Sequence, residues 1–593
     1  MPIASRAPVS LTLLALLFGS KLAAADLFND PSGVPEVLTA TRLKQSPAEV
    51  PGSISVLDRE LIVASGARDI PELMRLVPGM MVGYLSGNQP TVNYHGTSMS
   101  GARRLQVLID GRSVYRPGLA SVDWSDLPLA LEDVERIEVF RGPNTVSYGA
   151  NALMGVINII TRAPGESPGT RLKYTAGQRG IRDWYASQSI ALEDSDFRLS
   201  LSGQEDDGFD HDHDGHALRD GRRLSRFNLN ASHSLAPNQS LEWQLATQVL
   251  DQLRNGGLRP VCGRVDRNIR ESRYDLEMQD TLSLGDNLRL LNGLSYRYDQ
   301  ANSETFYGGR VSSQIWRLFS QLEWHAGEHW LLQGGGMLED VEGSGSSFSP
   351  RLAVNYLFNP QHSLRAVYSE AVRSPGMYEN DVDWRYRVRH LTPAPYGQSE
   401  AYYFASAHGP GDLGKEHTRS REIGYNGFFR ETGLAMDVRL FHEEITGLIS
   451  DPLSVVDFSP DNGDRIRFSG AEGQLDWRLG LRDRLRATYA YLDYDATSRY
   501  DRRLTARHGG SAGWMHDWGQ GWSSALFYYG DDSLNGHRFE RVDLRLAKRI
   551  PLGKAALELA GVLQQRLDDQ PLTFPDNRYD SRHLLYFSAE VTF

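Results

Sequence analysis

In the stretch DDGFDHDHDGHALRDG, Asp210, Asp212 and Asp214 stand at alternate positions ahead of Gly215. That is how a calcium loop opens, with carboxylate oxygens converging on a hard cation. The bidentate carboxylate expected at the twelfth position is missing, because residue 221 is Gly221. His211, His213 and His216 offer imidazole nitrogen instead, which suits a transition metal. A third reading is a solvated loop that binds nothing. Residues 251–272 hold Arg254, Arg259, Arg264, Arg267 and Arg270, a set that suits an anion. Residues 372–418 hold His390, His408 and His417 among several tyrosines. No Gly-rich loop has phosphate-binding spacing, and nothing arranges Ser, His and Asp as a nucleophilic triad. The single cysteine, Cys262, excludes an internal disulfide and a cysteine zinc cluster. A net charge of −12 leaves no basic footprint for nucleic acid. The chemistry on offer is binding, so no enzyme activity and no required cofactor are expected.

These loops need elements to hold them. MPIASRAPVSLTLLALLFGSKLAAAD has a positive start at Arg6, a short apolar run from Val9 to Phe18, and Ala23-Ala24-Ala25. It reads as an export signal over 1–25, with the mature chain opening at Asp26. About ten apolar residues are too few to span a bilayer. From 166 onward the chain becomes alternating stretches of about ten residues. RLAVNYLF sets Leu352, Val354, Tyr356 and Phe358 on one face. RVDLRLAKR sets Val542, Leu544 and Leu546 against Arg541, Asp543 and Arg545. LAMDVRLFH sets Leu434, Met436, Val438 and Leu440 against Asp437 and Arg439. Such strands put apolar side chains to lipid and polar ones to a wet lumen, which also explains a mean hydropathy of only −0.43. Connections alternate short (EDSD, GDN, NPQH, ETG, PLGK) and long (205–224, 251–272, 372–418, 445–466, 566–582). The closing HLLYFSAEVTF is one more two-faced strand, ending in Phe593.

Residues 51–165 read differently, as a compact α+β unit. SISVLD alternates as a strand. Ile70, Leu73, Met74 and Val77 lie at helical spacing behind a capping Asp69, and Pro78-Gly79 stops the helix. RRLQVLIDGRSVY and DVERIEVFRG are strand-like, and PNTVSYGANALMGVINIITR is a buried run among small residues.

The stretch DVERIEVFRGPNTVSYGANALMGVINIITR strongly resembles the plug domain of TonB-dependent outer-membrane receptors. So do RRLQVLIDGRSVY and the helix ending LVPG. EVLTA, residues Glu36, Val37, Leu38, Thr39 and Ala40, stands at the TonB-box position. SPRLAVNYLFNPQHSLRAVYSEAVRSPGMYE and LGKEHTRSREIGY resemble the same family's barrel. The resemblance implies a leader over 26–50 and a plug inside a membrane β-barrel over 166–593, in the outer membrane of a Gram-negative bacterium. The barrel is antiparallel with about 22 strands. The sequence itself shows about 20, and 251–285 is where a hairpin could be missing.

The implied work is energised import of a scarce metal complex. A ferric siderophore leads, with cobalamin, haem or free metal behind. A passive porin or an adhesin is the rival class. Implied partners are TonB with ExbB and ExbD, outer-membrane lipid and lipopolysaccharide, and a metal chelate, with the receptor as a monomer. A free extended segment can add to a partner's sheet edge, so Glu36–Ala40 is expected to be exposed. About ten residues before it leave no room for a signalling domain, so transport without direct transcriptional signalling is expected. Arg141 matches a family arginine that engages wall carboxylates, and Glu422 matches a family wall glutamate, so the two are paired here as a plug–barrel lock. In YHGTS, relatives carry Arg where this chain has His95; an ionic lock there becomes weaker or pH-dependent. Equally, His95 can contact ligand or simply pack. Tyr84, Tyr115 and Arg116 at the plug apex, with His95, His390 and His408, complete the expected ligand contacts.

Overall fold

The computed structural model describes residues 36–96, 103–166, 169–209, 220–236, 239–252, 269–285, 287–450, 460–497, 505–534, 537–567 and 582–593, and the short pieces 19–20, 211–212, 262–265 and 577–578. Alternation builds the wall. In the strand His537–Leu552, Arg541, Asp543 and Arg545 are buried while Leu544 and Leu546 are exposed. Polar side chains point in and apolar ones point out, which is stable only with lipid outside. Trp324, Trp330, Phe358, Trp477, Trp518 and Trp522 are exposed beside the short turns, as an interfacial girdle requires. No helix among the described residues is long and apolar enough to cross a membrane; the strands cross it.

Among the described residues the wall sheet has twenty strands, besides the dipeptide Gly19–Ser20 of the export signal, which is set against Ser240 and Gln239. The twenty follow chain order from Gly169–Gly177 to His583–Thr592. Among the described residues the wall therefore has twenty strands, not the 22 that the resemblance implied. Cys262–Val265, inside the stretch where a further hairpin was expected, pairs outside the wall with Asp383–Thr392. With Glu400–His408 these strands form a three-stranded external sheet.

The last strand closes the wall by pairing with the first, from Tyr586↔Gly177 to Thr592↔Arg171. Thr170 N donates to Phe593 O at 2.7 Å and Phe593 N to Thr170 O at 3.0 Å, so the final residue fastens the seam. Unpaired backbone in lipid is costly. Deleting Phe593 is therefore expected to lower heat-modifiable, folded receptor in membranes several-fold. Equal amounts of folded wild type and variant would count against this role.

The inner domain carries a sheet in the order Ser53–Leu57, Val134–Arg141, Gly155–Thr161, Leu105–Ile109, Arg112–Ser113. Asp58 caps the helix Arg59–Ser65 by accepting from Leu61 N. The helix expected from Asp69 is shorter than its apolar spacing suggests: Ile70–Leu73, then a 3-10 turn Met74–Leu76. Asp69 makes no side-chain cap there; its carboxylate takes Arg222 of the wall at 2.7 Å. Leu57, Leu61, Met74, Val107, Ile137 and Ile157 form a core that runs on into Phe441, Phe468 and Phe527 of the wall.

Candidate functional site

The wall strands Leu434–Ser450 and Asp461–Leu479 pair with Arg439 opposite Glu472. The period of two sends Asp437, Arg439 and Glu443 inward together. Arg141, at the end of the inner strand Val134–Arg141, donates to Asp437 Oδ1 and Glu472 Oε2, each at 2.7 Å. Arg439 reaches Glu472 at 3.0 Å, Glu422 at 3.1 Å and the Arg141 carbonyl at 3.1 Å. Arg365 closes the far side on Glu422 and Asp437, both at 2.9 Å. Arg141 and Glu422 thus share one cluster, but they are not the ion pair expected from sequence. Arg141 turns to Asp437 and Glu472, and Glu422 is taken by Arg365 and Arg439.

His95 belongs to this cluster too. Its Nε2 lies 2.7 Å from Glu472 Oε1, and its Nδ1 lies 3.7 Å from Glu443 Oε2. The imidazole stacks between Tyr94 and Phe441, at centroid distances of 3.8 and 5.0 Å. Its backbone is left-handed, φ 56°, a conformation uncommon outside glycine. Burial opposes the imidazolium, but the carboxylates of Glu443 and Glu472 outweigh it and raise the pKa above the usual 6.5.

A second buried cluster sits nearer the external connections. Arg103 donates to Glu379 at 3.0 Å, and Arg104 grips Glu416 through Nε and Nη2. Arg373 joins the two carboxylates, 2.8 Å from Glu379 and 2.5 Å from Glu416. Glu379 stands on the external helix Met377–Asp381, so this cluster ties the inner domain to an outside element. Sequence alone did not single these residues out; the doublet Arg103-Arg104 ahead of the buried strand Leu105–Ile109 is the trace they leave there.

The segment Glu36–Ala40 is not exposed. Val37, Thr39 and Ala40 are buried, and Val37 exchanges backbone bonds with Gln45. Glu138 Oε2 accepts from Leu38 N at 3.0 Å, Thr39 N at 2.9 Å and Thr39 Oγ1 at 2.6 Å. Asn144 and Ser147 donate to the Ala40 carbonyl at 3.0 and 3.1 Å. Small and β-branched side chains fit the cleft, whose partners are Gln45 of the leader itself, Glu138, Asn144 and Ser147 of the inner domain, and Arg351 of the wall, 3.4 Å from the Ala40 carbonyl.

A family model described as TonB dependent receptor-like, beta-barrel, matches residues 144–562, and one for the TonB-dependent receptor plug domain matches 46–156. The chain belongs to the TonB-dependent receptors. Among curated proteins it is 24% identical over 555 residues to an iron-regulated outer membrane virulence protein of Vibrio cholerae, covering 82% of this chain and 81% of that one. It is 23% identical over 418 residues to the vitamin B12 transporter BtuB of the same species, covering 62% and 67%. The ferric enterobactin receptor PfeA of Pseudomonas aeruginosa shares the fold, with a TM-score of 0.71 at 17% identity over 93% of this chain and 100% of that one. The protein is a TonB-dependent outer-membrane receptor, and its inner domain is the plug.

The other expected ligand contacts fall in different places on this receptor. Tyr84 is half-buried, bonded to Glu72 and edge-on to Phe209 at 5.3 Å. Tyr115 is buried, and Arg116 is engaged by Glu271 at 2.7 Å. Tyr307 donates to the Gly118 carbonyl, so wall connections cover this apex. His408 stands opposite Asp383 in the external sheet, and His390 lies seven residues further along that strand. At 3.3 Å per residue the two histidines are roughly 23 Å apart and cannot share one iron. Of the acidic histidine loop, only the backbone pairing of His211 and Asp212 with Arg578 and Asn577 is described. Asp210, Asp214, His213 and His216 lie outside the described residues. Among the described residues no three His, Cys, Asp or Glu converge as a metal site.

Proposed function

We propose that this receptor imports a ferric siderophore. The external strand Asp383–Thr392 carries the reading. Arg385, Arg387 and Arg389 alternate on one of its faces, while Trp384 and Val388 on the other are buried over the receptor. Arg385 is held by Asp383 and Arg387 by Glu400 at 2.8 Å, surface pairs that an anionic ferric chelate could displace to engage the guanidiniums. The iron-regulated relative, matched over most of both chains, supports the same cargo. Cobalamin is the second reading, because BtuB proteins are among the relatives. TonB with ExbB and ExbD supplies the energy, Glu36–Ala40 is the segment that pairs with TonB, and the receptor works as a monomer amid lipopolysaccharide.

A deletion strain carrying this gene on a plasmid, grown on single iron, haem and cobalamin sources, tests the cargo. Growth is expected on ferric catecholates or hydroxamates; rescue by cyanocobalamin or haem alone would overturn the assignment. The same strain tests the loop Asp210–His216. If it holds calcium, chelator should weaken ferric enterobactin binding and calcium restore it, and Asp212→Asn with Asp214→Asn should abolish that gain.

A further inference from the structure

Three sectors of the plug's perimeter leave little room between plug and wall: a cavity of about 30 Å³ beside Tyr529 and Phe539, and one of about 10 Å³ beside Leu43. Leu43 fills a site among Leu291, Phe319 and Met337, and Ala48 one beside Leu331 and Leu357. The Arg141 cluster seals the strands from His362 to Leu479, and Phe527, Tyr529 and Phe539 pack the next sector. The fourth sector is different. Two cavities of about 80 Å³ each lie between plug and wall there. The outer one is lined by Tyr84, Gly87, Phe209 and Leu584, beside long external connections. The inner one is lined by Glu132, Lys173, Ser588 and Glu590, at the opposite end of the same strands. Both are polar and large enough for several waters.

Arg68 and Tyr586 line both cavities. Arg68 forks onto Asp183 at 2.8 and 2.9 Å and reaches Asp206 at 3.5 Å. Tyr586 Oη donates to the Gly66 carbonyl at 2.5 Å. Both bonds cross from the loop Gly66–Asp69 to the wall. Gly66 has φ 69°, and a Cβ there would lie 2.9 Å from Val562, so the loop is pressed against the strands.

Chain order connects this loop to the N-terminal segment. After residue 50 comes the strand Ser53–Leu57, the outermost in the plug sheet, paired only with Val134–Arg141. Then come the helix Arg59–Ser65 and the loop itself. A pull on the segment peels an edge strand and reaches the Arg68 loop before the rest of the sheet.

We propose that the import route runs between the loop Gly66–Asp69 and the wall strands Arg182–Ala191 and His583–Thr592, with Arg68 and Tyr586 as the bar that keeps two cavities from joining. The assignment rests on the reading of this receptor as an energised importer. The bar itself can be tested without cargo or TonB. Full-length receptor with Arg68→Ala and Tyr586→Phe should show ion conductance in planar bilayers raised about tenfold or more over wild type. Heat modifiability verifies that it is folded, and Asp183→Asn offers a second, milder opening.

The sector can be read with thiols in a Cys262→Ser background. Ser202, buried on the inner cavity, and Ser295, buried on a distant wall strand, are each changed to Cys. An impermeant maleimide added outside should label position 202 in the barless receptor and leave 295 unlabelled. Unchanged conductance in the folded variants, or labelling at 295 as strong as at 202, overturns the route. If the bar variants leak but cells carrying Ser202→Cys and Cys262→Ser with the bar intact, offered ferric enterobactin and cyanocobalamin, never label position 202, the energised-import reading fails and the bar stands.

Discussion

Replacing Leu38 by proline is expected to abolish energised import while cargo affinity at the cell surface stays at the wild-type level. Proline removes the backbone N–H and fixes φ, so residues 36–40 can no longer complete a ladder with a partner strand. In this receptor the same N–H is committed at rest to Glu138 Oε2. The substitution therefore also loosens the resting segment, and the two effects must be separated. Glu138→Ala does so. It removes the acceptor for Leu38 N, Thr39 N and Thr39 Oγ1 and leaves the segment's own pairing capacity intact. Hydrogen bonds to a charged group contribute about 1.5–3 kcal/mol each, so losing an acceptor of three shifts the held segment toward release by roughly a thousandfold or more. Binding of TonB's C-terminal domain to purified receptor should rise in Glu138→Ala and vanish in Leu38→Pro. Full import by Leu38→Pro would remove residues 36–40 from the coupling role. Equal TonB binding by wild type and Glu138→Ala would mean that Glu138 does not hold the segment.

How much of this could be read beforehand follows from the range of each interaction. The alternation at Arg541–Leu546 is a local period of two, and the structure repeats it as burial and exposure residue by residue. The closing strand through Phe593 was legible for the same reason. Partners fixed by barrel closure were not. Glu138 lies about a hundred residues from Leu38, and nothing near EVLTA signals that a carboxylate will take its backbone. Arg141 was recognisable as a wall contact, yet its choice of Asp437 and Glu472 over Glu422 depends on strand register across the lumen. His390 and His408 were both expected as ligand contacts from a histidine-bearing loop. An antiparallel pairing that sets Asp383, not His390, opposite His408 keeps them apart.

The lock around His95 is expected to weaken as pH rises. Three guanidiniums, Arg141, Arg365 and Arg439, face four carboxylates, Glu422, Asp437, Glu443 and Glu472. Protonated His95 supplies the fourth positive charge, and Tyr94 Oη adds hydrogen bonds to Glu472 at 3.0 and 3.1 Å. The folded pKa of His95 is raised above 6.5. Its contribution is therefore complete below the unfolded value and is lost as pH climbs through the folded one. Above that point no imidazolium faces Glu443 and Glu472. Breaking a buried ion pair on one side costs about 3 kcal/mol or more. Plug unfolding within the barrel, followed by urea titration with a fluorophore on the plug, should show a lower midpoint at pH 9 than at pH 6. His95→Gln should give the low-stability behaviour at both. His95→Arg should give a flat profile at the high level, because a guanidinium keeps its proton across this range. A wild-type midpoint independent of pH, or a slope that survives in His95→Gln, would place the titrating group elsewhere. A histidine in this position has a physical consequence: one of the charges that hold the plug is titratable, where an arginine would keep its proton.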